Sequence, residues 1–369
     1  MPTSPLDDLH RRRGAHMTDF AGWQLPLRFG SELAEHAAVR TAAGLFDLSH
    51  MAQLRVVGPG AGAGLDMALT GSHAGMPVGR ASYSLILAAD GGVVDDLIVY
   101  RLAGAEYLVI SNAANRAVVA AELVDRLAPF DVDLVDVTQA RTLIAVQGPR
   151  AAAICAAAGL AGVVESLSYY TAAPARLAGI DLLVARTGYT GEDGFEVSAP
   201  AEAAERVWVA LEEAGRAHGL VLAGLAARDT LRLEAAMPLY GYELTRETTP
   251  WDAGLNRFVD LAKPAFVGRD ALVSDDGTRV PRRRRLVGVA GSGRRGARGG
   301  YAVINPASGQ TIGEVTSGAL SPTLGYPIAL AYIDAAAPSA VGTDLVIDVR
   351  GAHQPFSVVA RPFYCRSPS

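Results

Sequence analysis

The chain has little cysteine, almost no lysine and no long apolar run, and each shortage excludes a class of function. Its two cysteines, Cys155 and Cys365, lie far apart with no CxxC and no histidine at ligand spacing. That excludes a disulfide framework and a locally encoded cysteine zinc or iron–sulfur site, and it suits a reducing compartment. Of 33 basic residues only Lys263 is a lysine. A Walker A loop needs a Gly-Lys-Ser/Thr end, which is missing, and a Schiff-base enzyme would have to use Lys263 with Pro264 directly behind it. Kinase-like NTPases and pyridoxal enzymes are set aside. The seven histidines form no HExxH, and Gly71-Ser72-His73-Ala74-Gly75 has the wrong order for a nucleophile elbow. The strongly apolar uncharged run at residues 151–164 is shorter than the roughly 18 residues of a membrane span. Arginines 11–13 are followed by Gly14, Ala15 and His16 rather than an apolar stretch, so no secretory signal is read there and a cytoplasmic location is expected.

What is present is a globular balance. Half of the 369 residues are hydrophobic and 19% are charged, far from the composition of a disordered chain. At roughly 150 residues per domain the length suggests two or three domains. The net charge of −5 gives no reason to expect a nucleic-acid partner.

Tyr83 to Leu87 and Val93 to Tyr100 flank Ala-Ala-Asp90-Gly91-Gly92 and read as a hairpin, with Tyr107 to Ser111 as a third strand. Further strands are expected at 142–146 and 180–186. Helical patterns follow from Pro149 and over 201–218, where Val207, Trp208, Leu211 and Ala214 share a side and Gly219 is a stop. Strands that turn back on themselves among helices argue α+β rather than a doubly wound parallel sheet. After a polar linker at 273–285 the texture becomes all-β, with short strands expected at 286–290, 328–333, 344–349 and 356–360.

Asp95 and Asp96 interrupt strand formers where aspartate is normally depleted. Consecutive strand residues point to opposite faces, so at most one of the two is expected to serve chemistry. A carboxylate in an apolar strand is offset either by a structural hydrogen-bond network, such as a turn cap, or by a ligand. Tyr83 is expected roughly opposite on the partner strand. The stretch Arg186-Thr-Gly-Tyr-Thr-Gly-Glu-Asp-Gly-Phe-Glu196 is either an ordinary hairpin turn or a loop whose glycines admit close approach of a ligand. Glu196, at a strand start, can hold a flat donor edge by two hydrogen bonds. Arg228 and Arg232 fall one helical turn apart, where each can meet a ligand or an internal partner such as Asp229 or Glu234. Gly291-Ser-Gly-Arg-Arg-Gly296 matches a dinucleotide fingerprint, but the residues that follow cannot open the helix such a site needs. Arginines 279, 282–285, 294, 295 and 298 form a local basic patch, either a solvated loop or an attractor for an acidic protein.

Asp19-Phe-Ala-Gly-Trp23, Gly44-Leu-Phe-Asp-Leu-Ser-His-Met51, Gly91 to Tyr100, Gln147-Gly-Pro149, Arg186 to Glu196, Gly224-Leu-Ala-Ala-Arg-Asp229 and Ser317 to Gly325, in this order, closely resemble the aminomethyltransferases, the T-proteins of the glycine cleavage system. The similarity runs from the N-terminus to Pro362-Phe-Tyr364. It implies a three-domain, cloverleaf-like α+β protein: residues 1–50 with 140–223 as a first domain, 51–139 with 224–275 as a second that carries the folate site, both with antiparallel sheets, and 280–369 as a C-terminal β-barrel. It also implies the reaction. The aminomethyl group on the lipoyl arm of acidic H-protein passes to tetrahydrofolate, giving 5,10-methylenetetrahydrofolate, ammonia and the dihydrolipoyl carrier, with no metal and no membrane. By resemblance Asp96 is the catalytic residue, an acidic side chain beside the folate nitrogens. Met51 and Tyr83 line the site, Tyr189 and Glu196 meet the pterin, and Arg228 and Tyr364 complete it.

The chain departs from the family pattern at Thr70-Gly71-Ser72, where Thr-Asn-Asp is usual, and in the glycine- and arginine-rich stretch 293–300. Two other classes remain open on sequence. One is a folate-binding protein of the same fold without transfer activity, such as an iron–sulfur assembly factor, which would carry a cysteine-centred signature. The other is the folate-side domain of a sarcosine- or dimethylglycine-type dehydrogenase, fused to a flavin domain.

Overall fold

The computed structural model describes residues 3–366. Along the chain the strands are β1 (His16–Phe20), β2 (Trp23–Arg28), β3 (Ala43–Asp47), β4 (Ala52–Val57), β5 (Ala81–Leu87), β6 (Val93–Ala103), β7 (Glu106–Ser111), β8 (Asp133–Asp136), β9 (Arg141–Gln147), β10 (Ala172–Leu177), β11 (Ile180–Ala185), β12 (Gly194–Pro200), β13 (Leu220–Leu222), β14 (Arg284–Gly291), β15 (Ala302–Ile304), β16 (Thr311–Leu320), β17 (Pro327–Asp334), β18 (Asp344–Val349) and β19 (Ala352–Val359). The chain is mixed α and β, and it separates into two compact units.

The first unit comprises the residues up to 87, 94–228 and 258–267. Six of its strands form a sheet in the order β10-β11-β12-β9-β3-β13. The sheet is antiparallel as expected except at one edge, where β13 runs parallel to β3. Helix Ala204–Gly215 turns Val207, Trp208 and Leu211 inward at helical spacing and packs them with Phe195, Leu45 and Val146. Full burial of side chains this large contributes roughly 1.5–3 kcal/mol each. A short 3-10 turn follows, and Gly219 takes the left-handed conformation that ends it, φ 75°. The helical run after Pro149 is broken by Gly159, whose φ of 105° is not helical.

The other sheet of this unit has the order β5-β6-β7-β4-β8. Helices Ala61–Ala68 and Arg116–Leu127 support it through Leu65, Val119, Leu123 and Leu127, all buried. The hairpin read from sequence is β5–β6, and its connecting turn closes by hydrogen bonds within residues 88–92. The two sheets meet through side chains, with Ser198 on β12 donating to Gln53 on β4 at 2.9 Å. Lys263 donates to the carbonyls of Asp66, Leu69 and Gly71 at 2.6–2.7 Å, where helix Ala61–Ala68 ends, and so satisfies acceptors that a helix terminus leaves open.

The second unit holds residues 88–93, 229–257 and those from 268 onward. Strands β14-β17-β16-β15-β18-β19 close into a barrel. Alternation along β17 sends Ala329, Ala331 and Ile333 into the barrel core and Ile328, Leu330 and Tyr332 outward against Leu233. Both faces are therefore buried. Two barrel strands, β15 and β16, were not expected from sequence. The expected linker also ran too far, because Arg284 and Arg285 already belong to β14. A side chain at Gly313 would stand 2.0 Å from the Tyr332 carbonyl, so only glycine lets β16 lie against β17 there. Among the described residues, no helix is long and apolar enough to cross a membrane.

Candidate active site

Asp95 and Asp96 have different surroundings. Asp95 is fully buried; Asp96 remains partly open to solvent. The hydroxyl of Tyr83 on β5 donates to Asp96 Oδ2 at 2.9 Å. The side-chain amide of Asn112, directly after β7, donates to Oδ1 of Asp95 and to Oδ1 of Asp96, at 2.8 Å each. The sequence expectation that the two aspartates face apart is thus only half met: one is enclosed and one open, yet a single amide joins them. Burial raises the Asp96 carboxyl above the usual range, opposed by the Tyr83 and Asn112 hydrogen bonds and by the charge of Arg228. Tyr83 is itself pushed well above the ordinary phenol value, first by burial and then by Asp96, so it stays a neutral donor. Its ring leans on Phe258 at 4.5 Å between centroids.

The loop after β11 belongs to the same unit. Arg186 forks onto Asp193 at 3.0 and 2.7 Å and ties its ends. Gln147 donates to the Thr187 carbonyl at 3.0 Å and accepts from the Thr190 hydroxyl at 2.9 Å. A Cβ at Gly188 or Gly194 would stand 2.0 or 2.3 Å from that same glutamine. Arg40 adds contacts of 2.7 Å to the Thr190 carbonyl and 2.9 Å to Glu192. A loop held at this many points is pre-shaped rather than adaptable. On it, the ring of Tyr189 lies under the Arg228 guanidinium at 4.7 Å, a cation–π contact.

Glu196, at the third position of β12, is half-buried and raised in pKa by burial, against the pull of Thr187 and Arg228. Its Oε2 accepts from the Thr187 hydroxyl in a short hydrogen bond and from the Tyr100 hydroxyl at 3.4 Å. Oε2 is thereby committed to partners inside the protein. Tyr100 and Glu196 also form the polar end of a cavity between the two sheets, walled by Leu108, Ile110, Leu143 and Leu183.

The two arginines separate in role. Arg228 faces Tyr189 in the first unit, and its charge acts on Asp96, Glu196 and His50. Arg232 belongs to the second unit, almost fully buried, paired with Asp229 at 2.8 Å and Glu243 at 2.9 Å and donating to Ser317 at 2.9 Å. Glu234, named as a possible partner, accepts from Ser321 and from Thr323. Met51 is half-buried in the turn before β4, beside His50, whose imidazole is pushed down to about 3 by burial and then by Arg228. Tyr364 lies in the second unit, half-buried, its backbone N–H on the Glu234 carbonyl at 2.9 Å. Sequence reading did not single out Asn112, Asn115, Tyr100 or Thr187. Tyr100 lies inside a strand, Asn112 and Thr187 just after strand ends and Asn115 in the 3-10 turn that follows β7, and only the paired strands show what each meets.

Of the basic run, Arg279 lies over Trp251 at 4.8 Å and Arg284 over Tyr332 at 4.5 Å, while Arg285 bonds Ser339. Arg279, Arg282, Arg283, Arg294, Arg295 and Arg298 are the exposed members, and Arg284 and Arg285 are half-buried. The Gly291 to Gly296 stretch opens no helix.

Asp96, Tyr83, Glu196 and Arg228 thus belong to a unit built on two large mixed or antiparallel sheets, in a chain that ends in a closed six-stranded barrel. The comparisons with known proteins give this architecture its name. The GCVT N-terminal domain family matches residues 6–263, and the glycine cleavage T-protein C-terminal barrel domain family matches residues 284–364. The chain is 54% identical over 365 residues to the aminomethyltransferase of Streptomyces avermitilis, covering 98% of this chain and 97% of that one. It is 43% identical to the aminomethyltransferase of Moorella thermoacetica, with 98% of each chain covered. The crystal structure of glycine cleavage system aminomethyltransferase T from Bartonella henselae superposes with a TM-score of 0.90 at 36% identity, covering 98% of both. The chain belongs to the glycine cleavage T-protein family and catalyses that family's tetrahydrofolate-dependent aminomethyl transfer.

Proposed function

We propose that Asp96 is the catalytic carboxylate of this transfer and that Tyr83, Met51, Tyr189, Glu196, Arg228 and Tyr364 bind the folate. The donor is the aminomethylated lipoyl arm of H-protein. One observation carries this reading: of the two carboxylates on β6, Asp96 keeps access to solvent while Tyr83 and Asn112 hold both of its oxygens.

The chemistry follows from the charges. As N5 of tetrahydrofolate attacks the carried carbon and the carbon–sulfur bond breaks, an iminium-like cation develops. A fixed carboxylate in a site of restricted water stabilises that charge without reorganising and guides N10 for ring closure. The neutral phenol of Tyr83 holds the carboxylate in place. Glu196 offers Oε1 to the donor edge of the pterin, while Thr187 and Tyr100 orient its other oxygen. Arg228, stacked on Tyr189, is set to meet a carbonyl or carboxylate of the ligand.

The partner reading rests on charge. Arg282, Arg283, Arg294, Arg295 and Arg298 are exposed in a chain whose net charge is −5, and they suit an acidic carrier such as H-protein. We also keep the three-domain division at 1–50 with 140–223, 51–139 with 224–275, and 280–369. In its favour, the strands of each sheet and of the barrel fall within one of these sets.

The test is ammonia release from aminomethylated H-protein with and without tetrahydrofolate. The reading expects release to depend on tetrahydrofolate and to collapse in Asp96→Asn with folate binding kept. Release that is independent of folate, or indifferent to Asp96, overturns it.

A further inference from the structure

Asp95 has no part in the mechanism above, yet it is among the most unusual groups in the molecule. It is a carboxyl with no exposed surface, on a strand whose neighbours Val93, Val94, Leu97 and Val99 are buried apolar residues. Among the described residues no arginine, lysine or histidine pairs with it. Three N–H groups reach it instead: the Asn112 backbone N–H at 3.0 Å on Oδ2, and the side chains of Asn112 and Asn115 on Oδ1 at 2.8 Å each. Asn115 anchors its amide further on the Val94 carbonyl at 3.2 Å.

The Asn112 amide is shared. It donates to Asp95 Oδ1 and to Asp96 Oδ1 at the same distance, so two carboxyl groups stand on either side of one NH2. Like charges this close in a place shielded from water cannot both ionise fully, as two-carboxylate sites in general show. The surroundings of the pair are unequal. Asp96 has the Tyr83 hydroxyl from β5, the Asn112 amide, the positive charge of Arg228 and partial contact with water. Asp95 has only amide donors and the negative charge of Asp96.

We propose that Asp95 and Asp96, bridged by Asn112, form one acid–base unit that carries a single negative charge at neutral pH. Asp95 is a positioning residue in it: it holds the proton so that Asp96 meets the ligand as the anion. Burial, and after it the charge of Asp96, pushes the Asp95 carboxyl up to about 8, which agrees with this assignment. Asp95 Oδ2 accepts a single N–H and has room for the proton.

This inference rests on the reading of Asp96 given above and deepens it. In the transfer, the carbon–sulfur and carbon–nitrogen bonds of the carried group break and carbon bonds to N5 and N10 form. The two folate N–H protons end on sulfur as the thiol and on the departing nitrogen as ammonia. A pair holding one proton can take a second from a folate nitrogen and return it to a leaving group, and the pair ends in its starting state.

Infrared titration of carboxyl groups in the ligand-free enzyme tests the pair without any transfer. The expected result is a protonated-carboxyl C=O band at pH 7 that titrates away near pH 8, is missing in Asp95→Asn, and moves to lower pH by about one unit or more in Asp96→Asn because the neighbouring charge is gone. If wild-type enzyme lacks the band, or the band survives Asp95→Asn, or it titrates at an unchanged pH in Asp96→Asn, the proposal is overturned. Should Asp95→Asn fail to fold, the wild-type and Asp96→Asn titrations still decide. Because turnover is not read, failure here leaves the catalytic role of Asp96 standing, and a failed role for Asp96 in turnover leaves this result unchanged.

Discussion

Tyr83 and Asp96, on adjacent strands of one hairpin, are joined by a hydrogen bond of 2.9 Å in which the phenol donates to the carboxylate. The bond favours the ionised form of Asp96, against a burial that disfavours it. Tyr83→Phe removes it. A hydrogen bond to a charged group is worth about 1.5–3 kcal/mol, so kcat/KM for aminomethyl transfer is expected to fall by roughly ten- to a hundredfold. Losing a contact that lowers the Asp96 pKa raises that pKa, so the acid limb of the pH–rate profile moves to higher pH. A limb that stays in place while activity falls would assign Tyr83 to binding alone.

The loop that carries Tyr189 is positioned by Gln147. A methyl group at Gly188 would stand 2.0 Å from the Gln147 carboxamide oxygen, so Gly188→Ala must displace the glutamine or the loop. We expect tetrahydrofolate affinity to drop tenfold or more, which is about 1.4 kcal/mol. Gln147→Ala in the same chain makes room, so the double variant should recover part of the loss, with a coupling of about 0.5–3 kcal/mol. Calorimetric binding across the four-protein cycle measures it, and strict additivity would separate the two residues.

In the second unit, Arg232 and Glu243 form an ion pair of 2.9 Å with almost no exposed surface on either side chain. Arg232→Met strands a buried carboxylate and should cost roughly 3–5 kcal/mol in urea unfolding. Asp229, the other partner of Arg232, has a side chain that is 58% exposed, and Asp229→Asn should cost less than about 1 kcal/mol. Equal losses would contradict this ranking.

His50 and His73 are both held neutral: burial pushes each down to about 3, helped by Arg228 and Lys263 respectively. Both folded values lie below that of the unfolded chain, near 6.5, so the unfolded state takes up protons first as pH falls. Stability is therefore unaffected by these groups above about pH 6.5 and is lost below it, by up to about 1.4 kcal/mol per pH unit for each histidine down to about 3. His73→Gln should remove one such increment from the slope of unfolding free energy against pH between about 6 and 4. An unchanged slope would mean that His73 titrates normally in the fold.

The hairpin was legible because two aspartates among strand formers, after an Asp-Gly turn, leave few alternatives. The helix around Trp208 was legible from its period. Strand β16, Thr-Ile-Gly-Glu-Val-Thr-Ser-Gly-Ala-Leu, was not: its glycines are required by close strand contacts, and a glycine- and serine-bearing run looks like a loop until its partner is known. Three-residue β13, which adds a parallel edge pair to the sheet, is too short for any period to show. The positions of Asp96, Glu196 and Arg228 could be singled out as charges in apolar surroundings. Asn112 could not, because an asparagine just after a strand ordinarily caps the next helix, and its contact with two neighbouring carboxyls exists only once β6 and β7 are paired. Arg232 looked equivalent to Arg228 one turn away, and what separates them is Glu243, which sequence spacing does not bring near.

The account stands on Asp96 as the negative charge that stabilises the cation formed during transfer. Its most direct test is single-turnover transfer from aminomethylated H-protein to tetrahydrofolate by Asp96→Asn, with folate affinity and thermal unfolding measured on the same preparation. The account predicts a transfer rate reduced at least a hundredfold, about 2.7 kcal/mol, with folate affinity and melting temperature close to wild type. A rate within a few-fold of wild type would contradict it.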